Sequence, residues 1–127
     1  MMAPSARVQR GVYLVLAYFL SALVGVRAAL PLYGEPITDL LFALTIALTV
    51  TYLCIADSLV LHRPLIRTAQ WIMFFFWPVA APIYVLWSRR AWGILVLLIH
   101  FVLLAATYQA SYIFGVILGR VLMVWMR

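Results

Sequence analysis

Two ionisable side chains sit inside otherwise apolar stretches and are the first candidates for chemistry. Asp57 is the only acid within such a stretch, and His100 lies well inside another. An ionisable group placed in lipid is costly and is by default a functional candidate. A carboxylate and an imidazole in that setting can relay protons or hold a cation. The structural alternative is that Asp57 pairs with Arg63 or Arg67, while His100 makes a packing hydrogen bond.

Other chemistries lack the residues they need. Cys54 is the single cysteine, which excludes an intrachain disulfide and a thiolate metal cluster, and it reads as a small buried hydrophobe. A haem held between two histidines needs a second ligand at the depth of His100, and His62 lies at a segment end. No phosphate-binding glycine loop, GxSxG, HExxH or carboxylate pair is present. We therefore expect no cofactor, no metal and no enzymatic activity.

The composition places these groups in a membrane. The chain has 127 residues, of which 69% are hydrophobic and 9% charged, whereas soluble domains run at about 45–50% apolar and about 25% charged. All nine cations are arginines, and they stand singly or in pairs between apolar stretches. That spacing is typical of charges that set membrane topology, so the net charge of +6 does not indicate a nucleic-acid partner. The expected first partner is the lipid bilayer.

The apolar pattern predicts an all-α integral membrane protein, a four-helix transmembrane bundle in one domain over residues 1–127. The predicted spans are 11–32, 38–61, 71–87 and 92–118, each long enough or nearly long enough to cross about 30 Å of hydrocarbon. Gly119 and Arg120 are expected to end the last span, leaving a short apolar tail at the interface. Basic residues before the first span, followed by an apolar run and then Val26-Arg27-Ala28, also allow a cleaved signal peptide, although an anchoring helix is simpler.

The third segment is ambiguous because Pro78 and Pro82 lie in its middle. Proline removes a backbone donor and kinks or breaks a helix. Trp71 and Trp87 would mark the two interfaces of a kinked full span, which we favour; the alternative is a re-entrant hairpin. Both arrangements divide the arginines six to three and place the N-terminus on the richer side. We therefore expect a cytoplasmic N-terminus.

Small residues recur every four positions on the first and last helices. Such stripes let helix backbones approach closely in lipid. They predict close packing within the chain or, alternatively, a homodimer seam on the last helix. The residues are Ala17, Ser21 and Gly25 on the first helix and Thr107, Ser111, Gly115 and Gly119 on the last.

One resemblance can be stated. Trp77-Pro78, Pro82-Ile83-Tyr84 and Ser88-Arg89-Arg90 resemble a pattern in uncharacterised small multi-pass bacterial membrane proteins, where a Trp-Pro…Pro-x-Tyr helix precedes a basic turn. The resemblance implies a helical hairpin over about residues 71–119, a bacterial inner membrane and no known activity. Small multidrug transporters use a carboxylate in the first helix, and small fluoride channels use a buried asparagine; this chain has neither.

Two functions remain open. The first is a non-enzymatic structural or accessory protein that acts by helix–helix contact, either with itself as a homo-oligomer or within a larger membrane complex. The second is a small transporter or channel subunit that uses Asp57 and His100.

Overall fold

The computed structural model describes residues 5–30 and 36–126, which are helical almost throughout. The all-α prediction is confirmed, whereas the count of four helices is not, because the described residues form five. They are α1 (Ala6–Ala29), α2 (Pro36–Val60), α3 (Arg67–Phe75), α4 (Trp77–Arg89) and α5 (Ala91–Trp125). Only α1, α2 and α5 are long and apolar enough to cross a membrane. Residues 31–35, which include Pro31, Gly34 and Glu35, and Arg127 lie outside the described residues.

The ends of the helices follow local chemistry. Pro36 begins α2, where its missing N–H is not needed, and Asp39 in the first turn faces the positive end of the helix dipole. After Val60 the chain turns through His62, which takes a positive φ of 54°. The following Pro64 cannot continue the helix, and α3 starts only at Arg67.

Helix α1 packs between α2 and α5, and it is antiparallel to α2. Arg27 near the end of α1 pairs with Asp39 near the start of α2. At the opposite end, Arg10 pairs with Asp57.

Helix α5 runs parallel to α1, because contacts between the two advance together along both chains. The Tyr18 ring lies 6.3 Å from the His100 ring, and the Ser21 hydroxyl donates to the Leu104 carbonyl at 3.3 Å. A fourth full span following a third would make α5 antiparallel to α1. The direction of α5 is therefore the one required by a third segment that turns back.

Helices α3 and α4 form that turning segment, called here the half-length hairpin (residues 67–89). The single kinked span expected over 71–87 is corrected to two helices of 9 and 13 residues, or about 13 and 19 Å. The break falls at Phe76, and Pro78 lies in the first turn of α4, where proline is tolerated. Pro82 lies within α4 without dividing it.

The hairpin packs against the second half of α2. Met73 from α3 and Tyr84 from α4 are buried in one cluster with Cys54 of α2, and Val50 and Ala80 pack against it. Since Val50 is ten positions before the end of α2, the hairpin reaches about 15 Å along that helix. That is about half of a hydrocarbon core.

A one-residue turn joins α4 to α5. Arg90 takes φ 53° and ψ −130°, a conformation that residues with a side chain rarely adopt. A Cβ placed on Gly93 would lie 2.6 Å from the Val85 carbonyl oxygen. The absence of a side chain at Gly93 therefore lets α4 and α5 cross closely.

Helix α5 continues past the expected end at Gly119 and Arg120 to Trp125, which corrects the prediction of a separate tail. Its 35 residues measure about 52 Å. A Cβ placed on Gly119 would lie 3.6 Å from Leu30 Cδ2, just after the end of α1, so the last turns of α5 extend beyond that helix. Their side chains are exposed, Trp125 at 85%.

Candidate functional site

The carboxylate of Asp57 is the centre of a charged cluster, called here the Asp57 cluster (Arg10, Asp57, Tyr84 and Arg89). Arg89 donates from Nη2 to Oδ1 at 2.6 Å, and Arg10 donates from Nη1 to the same oxygen at 3.2 Å. The Tyr84 hydroxyl donates to Oδ2 at 3.1 Å. Both carboxylate oxygens therefore have partners, and two of the three donors are cationic.

Three helices supply the cluster. Arg10 stands on the second turn of α1, Asp57 near the end of α2, and Tyr84 and Arg89 on α4. The Asp57 side chain is 8% exposed, against 22% for Arg89 and 40% for Arg10. The acid is thus enclosed while its arginines reach towards the surface. Charge-assisted hydrogen bonds of this kind are stronger than neutral ones, so the cluster ties the half-length hairpin to α1 and α2.

The expected partners of Asp57 are corrected. Arg63 and Arg67 were expected to reach it from the connection after α2, yet both are exposed, and neither forms an ion pair among the described residues. Arg89 takes their place because the hairpin returns to the end of the bundle where α2 finishes. The re-entrant alternative for the third segment already placed Arg89 on the same side of the membrane as Asp57. That placement indicated that the two residues could pair. Arg10 lies on that side in both arrangements, whereas nothing in the spacing pointed to Tyr84.

His100 does not join the Asp57 cluster. Its Nδ1 lies 2.9 Å from the carbonyl oxygen of Val96 on its own helix, and its ring tilts against Tyr18. The His100 ring lies beside α1, and one of its nitrogens contacts the backbone of its own helix. These contacts are typical of a histidine that packs between helices.

A second ion pair lies at the opposite end of the bundle. Arg27 Nη2 and Asp39 Oδ1 are 2.7 Å apart, and the Arg27 guanidinium lies 5.0 Å above the Phe42 ring. The Asp39 side chain is 65% exposed, so this pair is far more open to its surroundings than Asp57. The pair borders an open cleft of about 480 Å³ between α1 and α2. A second open cleft is lined by Arg120 and Trp125.

The two small-residue stripes face each other across α1 and α5. A Cβ added to Gly25 would lie 2.5 Å from the Tyr108 carbonyl oxygen and 2.9 Å from Ser111 Cβ. One added to Gly115 would lie 2.7 Å from Ala29 Cβ. Gly25 and Gly115 are buried, so the close packing predicted for the stripes is made here between α1 and α5 of one chain.

The remaining members of the stripes lie around this contact. Ser21 bonds to Leu104 across it, and Gly119 meets Leu30. Ala17 is half-buried on α1. Thr107 donates to the Leu103 carbonyl of its own helix at 2.8 Å and so does not bridge the helices.

Cys54, the single cysteine of the chain, is buried against Met73 and Tyr84. Among residues 5–30 and 36–126, no three His, Cys, Asp or Glu side chains come together as metal ligands would. The described residues form an α-helical protein with three membrane-length helices, and the Asp57 cluster joins α1, α2 and α4. Comparisons with known protein families, curated proteins and solved structures find no match to the chain.

Proposed function

We propose that this chain is a small, non-enzymatic multi-pass membrane protein that acts as a structural or accessory component. It works through contacts between its helices and those of a second copy or a larger membrane complex. In this proposal α1, α2 and α5 cross the bilayer, and the half-length hairpin re-enters from the side that holds the Asp57 cluster. That side carries six arginines and is therefore cytoplasmic by the positive-inside rule. The membrane in this proposal is a bacterial inner membrane.

The observation that best supports the proposal is the set of hydrogen-bond partners around Asp57. A proton or ion relay needs a group that can change partners, whereas Asp57 is held by two guanidiniums and a phenol from two other helices. Its role is to fasten the hairpin. The same reading applies to His100, whose ring lies against Tyr18.

A second feature supports contact with other helices. The outer side of α5 carries large apolar side chains that no part of residues 5–30 and 36–126 covers, among them Phe101 at 74% exposure and Val102 at 61%. Contact between this surface and another polypeptide can be tested directly.

The test is photo-crosslinking in the membrane, followed by extraction in a mild detergent. A photoreactive residue at Phe101 should form an adduct with another polypeptide, either a second copy or a partner. The same residue at Leu104, which faces α1, is the matched control and should crosslink only within the chain. Lipid adducts alone at Phe101, together with a monomer in detergent, would contradict the accessory function.

The transporter or channel subunit remains the second candidate because the re-entrant arrangement brings a hairpin and a charged cluster into one half of the bilayer. Non-helical backbone at membrane depth, such as the break at Phe76, is tolerated when protein buries it or when it lines a water-filled cavity. Against this candidate, neither open cleft is lined by Asp57 or His100. Water access separates the two functions: deuterium exchange at the amides of residues 54–58 should be slow for an accessory protein and fast for a conduction path.

A further inference from the structure

The end of the bundle that holds the Asp57 cluster carries a large excess of positive charge. Six arginines lie there, and the only described acid among them is Asp57, which leaves an excess of five charges. The other described acid, Asp39, lies at the opposite end with Arg27. The six are Arg7, Arg10, Arg63, Arg67, Arg89 and Arg90.

Within this end, Arg10 and Arg89 are brought together around one oxygen. Both guanidiniums contact Oδ1 of Asp57, at 3.2 and 2.6 Å. One carboxylate neutralises one of the two charges, so a full positive charge remains over the pair. The Arg10 side chain is 40% exposed, and most of its five N–H donors have no partner among the described side chains. A guanidinium with free donors matches the geometry of a phosphate.

Large apolar side chains are exposed near the level of this pair, on the same end of the bundle. Val8 and Val12 on α1 are 55% and 51% exposed, and Trp87 on α4 and Trp92 on α5 are 59% and 72% exposed. Tryptophan and arginine together are typical of the level at which lipid headgroups meet acyl chains. An anion that carries its own hydrocarbon fits both surfaces, whereas a free anion fits only the arginines.

We propose that Arg10 and Arg89 bind the phosphate headgroup of an anionic phospholipid, whose acyl chains lie along the apolar surface of α1 and α4. The neighbouring Arg7 and Arg90 add to the attraction without touching Asp57. The inference goes beyond the accessory function proposed above and does not depend on it, because a lipid site at this end requires no protein partner.

The test is binding of phosphatidylglycerol to the full chain purified in an uncharged detergent. Native mass spectrometry counts bound lipid, and thermal unfolding reports the stabilisation that follows from binding. We expect phosphatidylglycerol to bind and raise the Tm, while phosphatidylcholine and inorganic phosphate at equal ionic strength do neither. Equal shifts from phosphatidylcholine would overturn the headgroup assignment, and equal shifts from inorganic phosphate would overturn the lipid.

Variants locate the site. Arg10→Gln should weaken phosphatidylglycerol binding about five-fold, the factor that corresponds to about 1 kcal/mol for one arginine near an anionic surface. Asp57 keeps Arg89 in this variant, so the tie to the hairpin survives. Arg120→Gln removes the same charge at the opposite end and should leave binding unchanged. Arg7→Gln, which breaks no ion pair among the described residues, should weaken binding and serves if Arg10→Gln does not fold. Equal affinities in the Arg10, Arg7 and Arg120 variants would overturn the proposal.

Discussion

Arg89 Nη2 lies 2.6 Å from Asp57 Oδ1, which joins two residues that are 32 positions apart in the chain. The contact exists because the chain leaves the end of α2, enters the bundle as α3, turns at Phe76 and returns as α4. A third segment that crossed completely would carry Arg89 to the other end. This ion pair can therefore form only because the hairpin turns back at Phe76.

Replacing Asp57 should cost more stability than replacing Asp39. Asp57→Asn leaves Arg10 and Arg89 without a counter-charge in an enclosed site, and we expect a loss of about 2–4 kcal/mol in the free energy of unfolding. Asp39→Asn removes an ion pair of nearly equal length whose acid is 65% exposed, and should cost at most about 1 kcal/mol. Chemical unfolding in detergent measures both. Equal losses would show that Asp57 does not fasten the hairpin.

Asp57 and His100 should act independently. They share no hydrogen-bond partner, so the effects of Asp57→Asn and His100→Gln on the free energy of unfolding should add to within about 0.5 kcal/mol. Asp57→Asn combined with Arg89→Gln is the coupled control, and that double variant should lose clearly less than the sum of the single losses. Strong coupling between Asp57 and His100 would favour the transporter candidate over the accessory one.

The contact between α1 and α5 should not tolerate a single methyl group at Gly25. The Cβ of Gly25→Ala would meet the Tyr108 backbone at 2.5 Å, so α1 and α5 must separate, at a cost of about 1–3 kcal/mol. Gly11→Ala on the same helix is the matched control, because nothing lies within 4 Å of its Cβ. Alanine favours a helix over glycine, so Gly11→Ala should be neutral or slightly stabilising. Thermal unfolding in detergent compares them, and equal Tm values would contradict close packing at Gly25.

The direction of α5 can be tested by labelling from one side of the membrane. In a Cys54→Ala background, cysteines that replace Arg7 and Arg90 should react with a membrane-impermeant maleimide from the same side. A cysteine that replaces Arg120 should react from the opposite side. The kinked full span instead places positions 7 and 120 together and position 90 apart, so the pattern of labelling decides between them.

Composition and apolar run length were enough to predict an all-α chain built around long apolar helices, because these properties depend only on local sequence. The small stripes on the first and last helices were also visible, since a four-residue spacing places side chains on one face of any helix. The ambiguity at Pro78 and Pro82 could be stated from the sequence but not resolved. Proline weakens a helix in the same way whether the chain then continues or turns back, and the arginines divide six to three in either case.

The partners of Asp57 could not be predicted from the sequence, because they depend on whether the third segment crosses the membrane or turns back. Sequence distance favoured Arg63 and Arg67, which lie close along the chain, whereas the pairs that form use Arg10 and Arg89 from other helices. Membrane-length helices can be recognised one at a time because each satisfies its own backbone hydrogen bonds. Which charged ends meet is decided by helix direction and packing, which are properties of the assembled bundle, and so only the tertiary structure places Arg10, Tyr84 and Arg89 around Asp57.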